Sequence, residues 1–219
     1  MSTPKFKAVI FDLDGTLVDT APDLASALNY ILIMDNRAPL DFDDIRHVAS
    51  DGAKGLINLG FHISDKDPLY GDLRKKLLHF YLKHIADRSV LFEGIDEILH
   101  LVERSAIPWG IVTNKPTDLT LKLLHALNLD KRTHCVVCGD TVKERKPHPE
   151  PLLYAAKLLN VAPEDCCYIG DAERDMQAAK AAHMTAIFAS YGYIHESEKP
   201  EDMGADYIIQ TPLDLRSIL

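Results

Sequence analysis

The feature that most constrains this chain is the run Ala8-Val9-Ile10-Phe11, followed at once by Asp12-Leu13-Asp14-Gly15. A short apolar, partly β-branched run reads as a central parallel strand, covered on both faces. Gly15 lets the chain leave that strand sharply, so Asp12 and Asp14 stand exposed at its carboxyl end. Open α/β sheets bind their ligands in crevices at such strand ends. Two carboxylates placed there point to chemistry rather than to packing.

The rest of the chain fits such a sheet. From Gly94 onward helical and strand-like segments alternate: helix over 95–104, strand over 108–113, helix over 117–127, strand over 135–138 and helix over 150–159. Then come strand 166–169, helix 174–182, strand 185–189 and a weak strand at 207–209. This alternation predicts a doubly wound parallel sheet. Residues 20–85 differ, with helical spacing at Leu24, Leu28, Ile31 and Leu32 and again at Leu73, Leu77, Leu78 and Leu82. The expected organisation is therefore an α/β core of residues 1–19 plus 86–219, with a helical insertion over 20–85. Asp19, ahead of Thr20, is expected to cap the first inserted helix, and Thr117 to cap the helix it opens.

Composition narrows the function. With 219 residues, 47% apolar and 26% charged, the chain can bury a sizeable core, and its net charge of −9 argues against a nucleic-acid partner. An anionic substrate would need a locally basic site, which Lys115, Lys143, Arg145 and Lys146 can supply. No secretory or membrane-spanning segment is read, so a cytoplasmic location is expected. Cys135 and Cys138, and the adjacent Cys166 and Cys167, lie in apolar strands without histidines at zinc spacing, and are expected to be reduced core thiols.

The stretch Asp12-Leu13-Asp14-Gly15-Thr16-Leu17-Val18-Asp19-Thr20 resembles the first motif of the haloacid dehalogenase superfamily of aspartate-nucleophile phosphatases. The other three motifs follow in order: Thr113 closing the strand Gly110-Ile111-Val112, Lys146 in Lys143-Glu144-Arg145-Lys146-Pro147, and Gly170-Asp171-Ala172-Glu173-Arg174-Asp175. The resemblance spans the whole chain and implies a small helical cap inserted after the first strand.

The resemblance also implies roles. Asp12 would attack phosphorus, provided nearby cations spread the phosphoryl charge. Asp14 would be the general acid and then the base. Thr113 and the backbone N–H of Asn114 would hold phosphoryl oxygens, and Lys146 would neutralise developing charge. Asp12, Asp171 and the backbone carbonyl of Asp14 would bind Mg²⁺, whose preference is for oxygen ligands; Asp175, one helical turn on, would be a further ligand or a brace.

Within the superfamily the chain is similar to the phosphoglycolate phosphatase group, and in IPWGIVTNKP, GDAERD, YGYIH and GADYII to N-acetylmuramic acid 6-phosphate phosphatases. Both groups act on a small phosphorylated metabolite bearing a carboxylate. Lys54, among the glycines of Ser50-Asp51-Gly52-Ala53-Lys54-Gly55, is either the reader of that second anion or a solvated lysine. His148 and the loop Tyr191–His195 are expected near the substrate. A β-phosphoglucomutase-like mutase shares Asp12 and Asp14 and stays open, as does a non-catalytic binding module; a dehalogenase needs no acid at Asp14.

Overall fold

In a computed structural model of the protein, residues 5–194 and 199–219 are described. Six strands form one parallel sheet: β1 (Ala8–Phe11), β4 (Trp109–Val112), β5 (Cys135–Val137), β6 (Cys166–Gly170), β7 (Thr185–Ala189) and β8 (Tyr207–Ile209). Their spatial order is β5-β4-β1-β6-β7-β8. The chain therefore fills one side of β1 first, then crosses back over it to build the other side. Such a reversal of strand order opens a crevice at the carboxyl ends, and β1 lies beside it.

Alternation along the central strand explains its two covers. Val9 and Phe11 face one apolar cluster, with Trp109, α5 (Ile95–Arg104) and α6 (Thr117–Ala126). Ala8 and Ile10 face the other, with α7 (Glu150–Leu159) and α8 (Glu173–Ala181). All four β1 residues are fully buried, as a strand covered on both faces requires. The doubly wound parallel sheet expected from the alternation is the one observed. The four cysteines are free and buried in it, and burial pushes the Cys135 thiol up to about 11 and that of Cys166 up to about 12.

Between β1 and β4 the chain leaves through β2 (Val18–Asp19) and returns through β3 (Val90–Leu91), which pair antiparallel. Two residues per strand give no period to read, so this ladder has no signal in the sequence. Four helices lie between them: α1 (Ala21–Met34), α2 (Phe42–Arg46), α3 (Gly52–Phe61) and α4 (Tyr70–Lys83). Leu24, Leu28, Ile31 and Leu32 of α1 and Leu73, Leu77 and Tyr81 of α4 are buried in one cluster, and Tyr30 stacks on Phe80 at 4.2 Å between ring centres. Buried Asp23 ties the returning chain to α1 by accepting from the N–H groups of Arg88 and Ser89 and from the Ser89 hydroxyl.

Candidate active site

The carboxyl ends of β1, β4 and β6 and the loop after β5 meet at one point. Asp12 continues the β1 ladder, its N–H bonded to the Ile169 carbonyl at 2.8 Å, so strand pairing fixes where its side chain begins. Lys146 comes from the loop after β5 and is only 4% exposed. Its Nζ lies 2.8 Å from Asp12 Oδ1 and 2.7 Å from Asp175 Oδ1, and donates to the Val112 carbonyl and the Tyr168 hydroxyl. The Asn114 side chain clamps the Lys146 backbone from both sides, with bonds of 3.0 and 3.1 Å. Asn114 thus sets the lysine through its amide.

Asp171 follows β6 and is held by three donors. Thr16 Oγ1 donates to Oδ1 at 3.0 Å, while the Tyr193 N–H at 3.0 Å and Ser50 Oγ at 3.1 Å donate to Oδ2. Gly15 has φ +82°, and a Cβ there would stand 2.2 Å from Asp171 Oδ2, so only glycine lets β1 turn this close to the carboxylate. A Cβ at Gly192 would stand 2.3 Å from Asp171 Cβ, pressing from the other side.

Oxygens of Asp12, Asp171 and Asp175 lie within 4.8 Å of one another, and all three residues are buried. Burial pushes the Asp12 carboxyl up to about 7 despite Lys146, with Asp175 and Asp171 adding to the rise. Burial, then Asp175, pushes Asp171 up to about 6. Lys146 suffers burial too, yet Asp12 and Asp175 hold it above the ordinary lysine value. Of three buried carboxylates, Lys146 pairs with Asp12 and Asp175 and not with Asp171, an excess of negative charge that a hard divalent cation would balance. An all-oxygen donor set fits such an ion. Asp175 alone pairs with the lysine while both of its oxygens are engaged inside the core: Oδ1 takes Lys146 and the Tyr168 hydroxyl, and Oδ2 the Ala172 N–H at 3.0 Å.

Asp14 points elsewhere. Its Oδ1 accepts from Lys115 Nζ at 2.8 Å and from Thr20 Oγ1 at 2.6 Å, and the same Nζ donates to the Tyr81 hydroxyl of α4 at 2.9 Å. Burial opposes the Lys115 charge, but Asp14 and Tyr81 raise it above the usual lysine value. Asp12, Asp14, Thr113, Asn114 and Lys115 line a cleft of about 420 Å³, closed on the far side by the inserted helices through Lys54, Tyr70, Arg74, Leu78 and Tyr81.

A family model described as "Haloacid dehalogenase-like hydrolase" matches residues 9–189. The chain belongs to that family. Among similar relatives, an N-acetylmuramic acid 6-phosphate phosphatase of Pseudomonas putida is 36% identical over 98% of this chain and 96% of its own length. A phosphoglycolate phosphatase of Xylella fastidiosa is 40% identical over 94% of this chain and 90% of its own. A solved structure, titled a predicted phosphoglycolate phosphatase from Haemophilus somnus 129PT, superposes with a TM-score of 0.88 at 25% identity, covering 99% of each chain. Among the described residues no helix is long and apolar enough to cross a membrane.

Several residues read from the sequence fall outside this geometry. Lys54 reaches the cleft, but its side chain is 65% exposed and pairs with Asp65 at 2.8 Å. His148 is exposed and accepts from the Glu150 N–H, so it serves the start of α7. Tyr191 and Tyr193 turn away from the cleft: the Tyr191 hydroxyl bonds the Thr16 carbonyl, and the buried Tyr193 hydroxyl accepts the N–H groups of Thr20 and Ala21 and donates to Asp19. His195 lies outside the described residues. Asp19 accepts the Ala21 N–H only at 3.3 Å, so it shares the capping of α1 with Tyr193. Thr117 is the first residue of α6 instead of its cap, donating through N–H and hydroxyl to Asp140.

Contacts missed by the sequence reading join the inserted helices to the core. Arg174 donates to the Ser50 carbonyl at 2.8 Å and pairs with Asp51 at 3.3 Å. Arg46 donates to the Gly192 carbonyl at 2.7 Å, its guanidinium 4.9 Å from the Tyr193 ring centre. Such contacts bridge more than a hundred residues, and no local spacing announces them.

Proposed function

We propose that the protein is a Mg²⁺-dependent phosphomonoesterase acting through an aspartyl phosphate on Asp12, with residues 20–85 serving as a cap over the cleft. The observation that carries this reading is the approach of Asp171 and of Lys146, from the loop after β5, to Asp12, which lines one cleft with Thr113, while Asp14 faces the same cleft under a different lysine. Mg²⁺ held by Asp12, Asp171 and the Asp14 carbonyl, with Asp175 as brace, would screen the phosphoryl charge from the incoming carboxylate. An Asp12 oxygen forms a bond to phosphorus as the ester P–O bond breaks. The leaving oxygen takes a proton from Asp14, and Lys146, Thr113 and the Asn114 N–H hold charge on the phosphoryl oxygens.

In the second half, Asp14 accepts a proton from water as that water bonds to phosphorus and the Asp12–phosphorus bond breaks. Inorganic phosphate leaves and both carboxylates return to their starting states. Lys115 and Thr20 both grip Oδ1 of Asp14, which orients the carboxyl and leaves Oδ2 as the oxygen for proton transfer. The names of the relatives support a small carboxylated phosphomonoester as substrate, N-acetylmuramic acid 6-phosphate or 2-phosphoglycolate. Phosphate release from both compounds, measured with Mg²⁺ and with chelator, tests the reading. Release with Mg²⁺ and none in chelator is expected; equal release in chelator, or none in either condition, would overturn it.

A further inference from the structure

The cleft is rich in cations for a chain of net charge −9, and nearly every one of them is already engaged. Lys115 is bound to Asp14, Arg174 to Asp51 and the Ser50 carbonyl, Lys54 to Asp65, and Arg145 donates to the Gly139 carbonyl. Arg74 differs: it lines the cleft and has no hydrogen bond or ion pair with any described residue.

Arg74 is exposed, and its place on α4 turns that exposure toward the cleft. Tyr70, Arg74, Leu78 and Tyr81 recur at helical spacing and all line the cleft, while Leu73 and Leu77 turn into the apolar cluster. The positions three and four residues away from Arg74 are Tyr70, Gly71, Leu77 and Leu78, so no carboxylate on its own helix can reach it. A guanidinium flanked by an aromatic and an aliphatic side chain, facing a cleft, presents a planar fork of donors that matches a carboxylate in two-point geometry.

We propose that Arg74 reads the carboxylate of the substrate's leaving group, with Tyr70 and Leu78 offering an apolar wall to the part of the molecule between carboxylate and phosphate. This rests on the phosphomonoesterase reading and adds to it a specificity-determining residue. It moves anion recognition from Lys54, whose charge is taken by Asp65, to the helix wall one segment later. The cleft then has two anion sites of different origin, one at the strand ends for the phosphoryl group and one on the cap for the carboxylate.

The test is a binding comparison in an Asp12→Asn background with Mg²⁺, read by calorimetry. N-acetylmuramic acid 6-phosphate is compared with N-acetylglucosamine 6-phosphate, which lacks the lactyl carboxylate. The carboxylated ligand is expected to bind more tightly, and Arg74→Gln to erase that preference, a change of roughly ten- to a hundred-fold in the ratio of dissociation constants. Arg74→Lys, which keeps charge without the fork, should retain part of it. Survival of the preference in Arg74→Gln, equal weakening of both ligands, or no preference in the starting protein would each overturn the assignment. Equal weakening would show that Arg74 touches the phosphoryl group. Failure of the phosphatase reading shows separately, as no phosphate release from p-nitrophenyl phosphate by the unmutated protein.

Discussion

Two lysine–carboxylate centres reach the cleft, one through Asp12 and one through Asp14, and they are built from different parts of the chain. Lys146 bonds Asp12, Asp175, Tyr168 and the Val112 carbonyl, every one of them in the α/β core. Lys115 bonds Asp14 in the core but also Tyr81 on α4, one of the inserted helices. The first centre is complete without the inserted helices; the second is shared across the boundary. On the proposed mechanism, charge stabilisation at phosphorus then belongs to the α/β core alone, whereas the placing of the proposed acid Asp14 depends on where the inserted helices sit.

The most severe way to break the comparison is at Asp12. Asp12→Asn keeps the shape and removes the nucleophilic charge, and turnover should fall by several orders of magnitude while the circular dichroism spectrum is retained. Turnover near the original level in a folded variant would end the aspartyl-phosphate mechanism. Asp14→Asn should instead lose on the order of 10²–10⁴-fold on alkyl phosphates and markedly less on p-nitrophenyl phosphate, whose leaving group needs little protonation. Equal losses on both substrates would remove Asp14 as the acid.

Exchanging the lysines sharpens the contrast. Lys146→Met strands Asp12 and Asp175 without their cation and should cost about 3–5 kcal/mol of unfolding free energy in urea titrations without metal. Lys115→Met strands one carboxylate, Asp14, which keeps Thr20 as a donor, together with the neutral Tyr81 hydroxyl, and should cost less. Its turnover defect should grow with the basicity of the leaving group, since the loss is in placing Asp14. A larger stability cost at Lys115 than at Lys146 would reverse the assignment of core and shared centres.

How much of this was legible in the sequence follows the same division. Asp12, Thr113 and Asp171 directly follow strands and Lys146 lies in the loop after β5, and a strand reads locally from its apolar run, so alternation and motif order together bring the core candidates to one end of the sheet. Lys115 reads from the sequence only as a source of positive charge, because its partners Asp14 and Tyr81 are 101 and 34 residues away. Arg74 sits in a helix whose apolar spacing reads correctly, but the cleft-facing stripe and the buried stripe lie on adjacent faces, and periodicity alone assigns an arginine between them to solvent. The aromatic residues of the Tyr191–Tyr193 segment were placed at the right end of the sheet but turn inward to hold Thr16, Thr20 and Ala21.

The acid end of the core centre carries a pH signature. Asp12 and Asp171 are raised in the folded protein to about 7 and about 6, against about 3.9 in an unfolded chain. Between pH 4 and 7 the folded state then holds more protons than the unfolded one, so metal-free stability should fall as pH rises through that window. Asp171→Asn should recover on the order of 2–3 kcal/mol at neutral pH without metal. Mg²⁺ should raise the melting temperature of the unmutated protein at pH 7 and do so far less for Asp171→Asn, with Asp175→Asn closer to the unmutated case. A melting temperature that climbs from pH 4 to 7 in chelator would show that the carboxylates are compensated by other means.

The smallest effect is expected at Lys54, and it tests the cap half. The Lys54–Asp65 pair is largely exposed and screened by solvent, so its removal should leave stability nearly unchanged. With Arg74 as the reader, Lys54→Ala should raise KM for N-acetylmuramic acid 6-phosphate by no more than a few-fold, since an exposed lysine at the rim adds only screened attraction. Asp65→Asn frees the Lys54 ammonium without removing it, and should lower KM slightly through the same attraction. A tenfold or greater rise in KM in Lys54→Ala, confined to carboxylated substrates, would return anion recognition to the segment 50–55. The leaving-group pocket would then be governed by the first turn of α3, and α4 would contribute only its apolar wall.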